Sequence, residues 1–478
     1  MFKTTIGLEI NAQLQTNSKA FCKCHNDSQS PPNTNICPIC TGQPGTLPNL
    51  NRKMVELALK VSIAYRCTIN QRTSFDRKNY FSPDMPKGYQ ITQTFHPIAK
   101  GGVIEILTPK RKKKITISRI HMEEDSARTI GKVEHLGQTH AIHLDFNRSG
   151  IPLLEIVTAP EITSPKEAVE CFDAIRSTLI YLDACDGHLE AGSLRCDANI
   201  SLQNLQTGEH TERVEIKNLN STKNIERALT YEQQRLREGF VASNSEKAIT
   251  KDYDERLKRT IHSREKETQC DYRYFEEPDL PILEISDEEI AAVSLQIPEL
   301  PVKRLSRFIT EYTLRFDVAK SLVNDRDVAD FFDGAMNILD TDEMKHIIIR
   351  DVKRYLNQTG KTIDHTQLSP QKLYDLLRNI KTGRISPMIK QKILKILFEQ
   401  KKDVNTIIEE ENLIRIDNRQ SLGAILEELI KENEEQYEAY ICGKKELLKW
   451  FIGQMIKRTK GRTDPKLIIN IIKERMGE

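Results

Sequence analysis

Phe75-Asp-Arg-Lys-Asn-Tyr-Phe-Ser-Pro-Asp-Met-Pro-Lys-Gly-Tyr-Gln-Ile91 is the stretch on which the reading of this chain turns. It combines three cations, two carboxylates, four aromatics, two prolines and one glycine. Pro83 and Pro86 lack an amide hydrogen and push their predecessors toward extended geometry, which excludes a helix. Phe75, Tyr80, Phe81 and Tyr89 carry too much apolar surface for a disordered segment. The expectation is a shaped loop, held by aromatic anchors, that presents Arg77, Lys78 and Lys87 to an anionic group. A structural loop with solvated charges is the alternative.

The surrounding composition narrows the class. With 478 residues, 38% of them hydrophobic, the chain can bury a large core and should divide into two to four domains. A net charge of +2 excludes a polybasic protein and leaves room only for local basic patches. No window approaches the apolar length of a membrane helix, and Met1-Phe-Lys-Thr-Thr-Ile6 already reads as a strand with no targeting segment before it. Of ten cysteines, four cluster near the N-terminus and the others are scattered, which suits a reducing compartment and one metal site. The expectation is a soluble, cytoplasmic protein.

From Thr4 to Leu14, Ile6, Leu8 and Ile10 alternate with Glu9, Asn11 and Gln13, the pattern of a strand whose polar face lines a site or meets solvent. Cys22 and Cys24, then Cys37 and Cys40, have the layout of a tetrahedral thiolate zinc site, with His25 surplus to it. A redox dithiol lacks the expected strand–helix context. Asn51 should cap a helix to about Tyr65 with Val55, Leu59 and Ile63 on one stripe. Val103–Leu107 and Ile115–Ile117 flank Lys110-Arg-Lys-Lys-Lys114, a hairpin with a basic tip. In His121-Met-Glu-Glu-Asp125, three adjacent carboxylates repel and call for cations or solvent; in a strand, Glu123 and Asp125 share a face opposite Glu124. Ser164-Pro-Lys-Glu167 reads as a capping box, and alternating strands follow at Gly192–Asn199 and Val214–Ser221.

Near Pro298-Glu-Leu-Pro301 the pattern turns helical and stays so. Residues 401–440 hold eleven acidic against five basic side chains, and 441–478 hold four against ten. The basic end, with Lys457, Arg458, Lys460 and Arg462 between two helices, suggests a grip on a nucleic-acid backbone; a solvated basic end is the alternative.

Taken in order, Gly7-Leu-Glu-Ile10, the four cysteines, Phe75 to Gln93, His121 to Asp125, Asn147-Arg-x-Gly-x-Pro-Leu-x-Glu-Ile-Val157, Gly192 to Ser201, Glu215-Ile-Lys-Asn-Leu-Asn-Ser221, Asp271-Tyr-Arg-Tyr-Phe275 and the tail motifs around Gly453, Gly461 and Asp464-Pro-Lys466 resemble one family. It is the B subunit of the aspartyl/glutamyl-tRNA amidotransferase (GatB). The resemblance implies an α+β catalytic cradle over 1–294 with a four-Cys zinc knuckle at about 22–40, an all-helical domain over 295–402, and a small helical tRNA-binding tail over 403–478. It implies use of ATP and Mg²⁺ to phosphorylate the misacylated side chain of Glu-tRNA(Gln) or Asp-tRNA(Asn), followed by attack of ammonia that an A subunit makes from glutamine. A small C subunit completes the assembly. Glu9, Asn11, Glu123, Glu124 and Glu215 would hold Mg²⁺ and ATP, and Lys78, Arg77 and Lys87 would face the transferring phosphate. Lys78 and Glu124 could instead gate the ammonia path. Structural Zn²⁺ would sit in the knuckle.

Three positions depart from the family pattern. Asn11 stands where a His is usual, Ala191 follows Glu190 where a Glu pair is usual, and Ser126-Ala-Arg128 replaces Ala-Gly-Lys. An amide oxygen still suits a hard cation, so the first change alters a metal site without abolishing it. A tRNA-binding scaffold of the same fold that has lost phosphotransfer is the rival reading.

Overall fold

Alternation along the first strand, Phe2–Gln13, sets the architecture. Ile6, Leu8 and Ile10 are fully buried, while Glu9 and Asn11 point to the other face. The strand is central in a ten-stranded sheet, paired antiparallel to Pro152–Thr158 on one side and Leu194–Asn204 on the other. Lys112–Glu124 extends the sheet beyond the first neighbour, and Val214–Leu219 and Ile249–Asp254 extend it beyond the second. A computed structural model describes residues 2–109, 112–135, 138–241, 249–265 and 269–476 of the chain.

The registers make the two faces of this sheet chemically distinct. Glu9 lies opposite Val157 and Asp197, Asn11 opposite Glu155 and Arg195, and His121 opposite Glu155. Odd-numbered residues of five neighbouring strands therefore share one face. The even-numbered face carries Ile120, Met122, Leu154, Ile156, Ala198, Ile200 and Ile216, all fully buried. Helices supply the opposing apolar surface. Arg52–Ala64 is capped by Asn51 as expected and buries Val55 and Leu59, whereas Ile63 is only partly covered. Pro165–Tyr181 starts at Ser164, whose side chain accepts from the Glu167 amide. The Glu167 carboxylate reaches back to the Thr163 amide and to Lys113.

The Phe75–Ile91 stretch differs from the expected loop. Asp76–Asn79 and Tyr89–Thr92 pair as a hairpin, so only the segment between them is loop. Phe75 anchors it, but Phe81 is 99% exposed. Met85, 3% exposed, does the anchoring that Phe81 was expected to do, and the turn is closed by the Met85 amide on Ser82 and the Gly88 amide on Met85. Of the basic tip, Lys110 and Arg111 lie outside the described residues, while Lys112 pairs with Glu105 and Lys113 with Glu167.

The chain forms two compact units, Met1–Phe316 and Asp317–Glu478. The helix Pro301–Thr310 belongs to the first, where Leu305 and Phe308 are buried and Arg304 lies over the Tyr181 ring. In the second unit the described elements are helices, two of them started by Ser-Pro pairs at Ser369 and Ser386. The tail has its own apolar cluster of Leu422, Leu426, Leu429, Phe451, Met455 and Ile468. No described helix is long and apolar enough to cross a membrane.

Candidate active site

The odd-numbered face of the sheet floors a cavity of about 1170 Å³. Glu9, Asn11, His121, Glu123, Glu155, Arg195, Asp197, Glu215 and Lys217 rise from the floor, and Lys78, Tyr80, Tyr272 and Tyr274 stand at its side. The polar face of the first strand thus lines a cavity. Carboxylates crowd the centre: His121 Nε2 lies 3.6 Å from Glu155 and 3.8 Å from Glu123. These three could share one cation, since their ligand atoms lie within 4.8 Å of one another.

Burial and charge oppose each other here. Burial drives the Glu155 carboxyl up to about 7 against the pull of His121, with repulsion from Glu123 and Glu9 adding to the rise. Burial alone would lower the His121 imidazole, but Glu155 and Glu123 outweigh it and hold the pKa above its ordinary value. Glu123 lies below the ordinary glutamate range; burial opposes this, and His121, Lys78 and Arg195 overcome it. Asn11 Oδ1 and His121 Nδ1 are shielded from solvent with no hydrogen-bond partner among the described residues. An orphaned amide oxygen among carboxylates is a donor set that fits a hard divalent cation.

Toward the far edge of the floor, Lys217 pairs with Asp197 at 3.0 Å, and Thr250 donates to Glu215 at 2.8 Å. Asn199 donates to Glu9 at 2.9 Å. Arg195 and Gln13 both bind Asp125, at 3.0 and 2.9 Å. Lys78 has no carboxylate partner among the described residues; its ammonium lies 4.7 Å from the Tyr272 ring centroid and 5.9 Å from that of Tyr80.

Strand alternation divides the expected catalytic set. Glu123 faces the large cavity with Thr92, while Glu124 accepts from the Ile91 amide on the opposite face. Arg77, Lys87 and Glu124 line a second cavity of about 260 Å³, walled by Cys22, Cys40 and Gly42. There Lys87 bonds directly to Glu124. Arg77 forks onto the buried Glu277 at 2.7 and 2.8 Å, binds Asp279 at 2.9 Å, and stacks over Tyr89. Lys78 is therefore the one member of that set placed in the large cavity, and Glu124 is separated from Glu9, Asn11, Glu123 and Glu215. Sequence reading passed over His121, Glu155, Arg195, Asp197, Lys217 and the three tyrosines as residues of this cavity. A polar residue at every second position of otherwise apolar strands was the signal for the strand members.

Cys22, Cys24, Cys37 and Cys40 present four thiols within 4.8 Å of one another, a cluster compatible with a structural metal. In the tail, Lys457 and Lys460 are exposed without described partners, whereas Arg458 pairs with Glu428 and Glu432 and Arg462 donates to the Asn412 carbonyl at 3.0 Å. Arg128, at a position that departs from the resembled family, pairs with Asp145 at 3.0 Å.

Comparison with known proteins gives the family. The family model described as the GatB/GatE catalytic domain matches residues 4–291, and the GatB domain matches 330–476. Proteins named as the B subunit of aspartyl/glutamyl-tRNA(Asn/Gln) amidotransferase are similar over the whole length. The one from Thermotoga sp. (strain RQ2) is 39% identical over 99% of this chain and 98% of its own. That of Nitratidesulfovibrio vulgaris (strain DP4) is 37% identical over 100% and 99%, and that of Rippkaea orientalis is 40% identical over 99% and 98%. With a cradle floored by carboxylates, a four-thiol knuckle and a match that runs end to end, the chain belongs to the GatB family, the B subunits of tRNA-dependent amidotransferases.

Proposed function

We propose that the chain converts Glu-tRNA(Gln), Asp-tRNA(Asn) or both to the amide form, using ATP, within a cytoplasmic assembly that includes a glutaminase A subunit and a small C subunit. The observation that carries this reading is the large cavity, where a floor crowded with carboxylates faces Lys78, which forms no ion pair among the described residues. Phosphoryl transfer is mostly positioning and charge neutralisation, and this arrangement supplies both. The substrate carboxylate attacks the terminal phosphorus of ATP, the bond to the departing ADP oxygen breaks, and an acyl phosphate forms. Ammonia then attacks the acyl carbon, phosphate leaves with the bonding pair, and the nitrogen gives up a proton.

Lys78, framed by Tyr80 and Tyr272, faces the transferring phosphoryl group and neutralises its charge. Mg²⁺, for which Glu9, Asn11, Glu123 and Glu155 would be the ligands, would screen the nucleotide phosphates. Glu215 and Asp197, held by Thr250 and Lys217, extend the floor where the nucleotide binds. The second cavity is assigned to ammonia: Lys87 and Glu124 form a buried polar pair on its path, and Arg77 clamps the wall through Glu277. Cys22, Cys24, Cys37 and Cys40 would hold a structural Zn²⁺. Lys457 and Lys460 hold tRNA phosphates, with Arg458 and Arg462 shaping the tail that carries them.

The test is phosphate release by the complex with its A and C partners, in the presence and absence of each misacylated tRNA. Release that depends on a misacylated tRNA and yields the amide is expected, and it names the substrate. Tight tRNA binding without ATP turnover on either substrate would overturn the reading in favour of the scaffold, with Asn11 and Ala191 as the first positions to revert.

A further inference from the structure

Lys19 is fully buried, and a buried ammonium is costly unless it is paired. Its contacts are unusual. Nζ lies 3.5 Å from the Cys40 sulfur and 3.1 Å from the Phe146 carbonyl, and no described carboxylate forms an ion pair with it. Its backbone is fixed at both ends: the amide donates to the Cys24 carbonyl at 3.0 Å, and the carbonyl accepts from Asn51 at 3.2 Å. Lys19 thus grips the first cysteine pair with its main chain and the second pair with its side chain.

We propose that Lys19 is the counter-charge of the four-thiolate centre, a positioning residue that sets the metal affinity of the knuckle. The proposal rests on the zinc reading above. A divalent ion with four thiolates is a doubly negative group, and half of its ligands, Cys22 and Cys40, are buried. Such a centre repels its own ligands unless cations or amide hydrogens take up charge from the sulfurs. Cys40 receives both, from the Cys37 amide at 3.2 Å and from Lys19. The lysine also bonds the metal site to the loop that follows Asp145. That loop is independently held: Ser149 donates to the Cys40 carbonyl at 2.9 Å, and the Ala20 amide donates to the Gly150 carbonyl at 2.8 Å. Gly150 is the meeting point, since a side chain there would lie 3.5 Å from Cys40, 3.6 Å from Lys19 and 3.9 Å from Glu124.

The test uses the full chain loaded with zinc or with Co²⁺. Lys19→Met keeps the length and removes the charge; Lys19→Gln keeps a donor without the charge. Ser149→Ala removes a bond of similar length between the knuckle and the same loop but touches no sulfur. Wild-type protein should hold one equivalent of zinc; failure to do so would overturn the zinc reading itself, and this proposal with it. Lys19→Met should lose zinc to a competing chelator with about tenfold or greater loss of affinity, Lys19→Gln should fall between, and Ser149→Ala should match wild type. In the Co²⁺ form, the sulfur-to-metal charge-transfer band should move to lower energy in Lys19→Met and stay in place in Ser149→Ala. Should Lys19→Met fail to fold, the graded loss in Lys19→Gln carries the comparison. Wild-type zinc affinity in both lysine variants would overturn the proposal. So would equal weakening by Ser149→Ala with unmoved cobalt bands, because Lys19 would then be packing alone.

Discussion

The two cavities of the cradle share three strands, Asp76–Asn79, Tyr89–Thr92 and Lys112–Glu124, yet they treat charge in opposite ways. In the large one, Glu9, Glu123 and Glu155 crowd together, and among the described residues Asn11 Oδ1 has no hydrogen-bond partner and Lys78, beside the Tyr272 and Tyr80 rings, forms no ion pair. In the small one, every cation is already answered by the protein, Arg77 by Glu277 and Asp279 and Lys87 by Glu124. Unanswered charge marks a place built for charged ligands, whereas answered charge marks one that a neutral molecule can cross. A single residue step along a strand moves a side chain from one regime to the other, as between Lys78 and Arg77 or between Glu123 and Glu124.

The sharpest way to break this contrast is to remove Lys78. Lys78→Ala should lower amide formation by about 10²–10³-fold, with tRNA-dependent phosphate release falling in parallel and tRNA affinity nearly unchanged. Wild-type turnover in this variant would remove Lys78 from phosphoryl transfer. Glu124→Gln should act on the other regime. It keeps an acceptor for the Ile91 amide and leaves Lys87 without its counter-charge. Glutamine-driven amidation should fall about tenfold, while tRNA-dependent phosphate release persists and free ammonium restores much of the product. If phosphate release fell as far as amidation, Glu124 would belong with the large cavity after all, and the assignment of the two cavities would collapse.

How much of this was legible depends on which interaction carried the information. Local signals were read well: Asn51 and Ser164 cap their helices, Ile6, Leu8 and Ile10 form the buried face, and Glu123 parts from Glu124 by simple alternation. What failed was pairing at long range. Arg77 looks like a free cation beside Lys78, and only the approach of Glu277, far along the chain, shows it to be clamped. Lys19 gives no sequence signal at all, because its role follows from Cys40 and Phe146 meeting it in space. Phe81 misled in the other direction, since an aromatic in a proline-rich turn suggests an anchor and this one faces outward. The same blindness gave the four tail cations equal standing.

The tail tests the contrast in its mildest form. Lys457 and Lys460 are exposed with no described partner, while Arg458 already holds Glu428 and Glu432, and Arg462 is spent on backbone carbonyls. An unpaired surface lysine that binds a phosphate releases counterions, so removing one such lysine should flatten the salt dependence of tRNA binding by about 0.7–0.9 in log–log slope. Lys457→Ala and Lys460→Ala should therefore raise the tRNA KM a few-fold at moderate salt, and the deficit should shrink as salt rises and the same interaction weakens in wild type too. Arg458→Ala should leave the slope alone, because its charge is already neutralised, and should cost the tail about 0–1 kcal/mol of stability. Slopes measured by titration at several salt concentrations separate the two classes. If Arg458→Ala flattened the slope as much as the lysine variants, the pairing with Glu428 and Glu432 would have to open on binding, and answered charge in the tail would be as available to tRNA as unanswered charge.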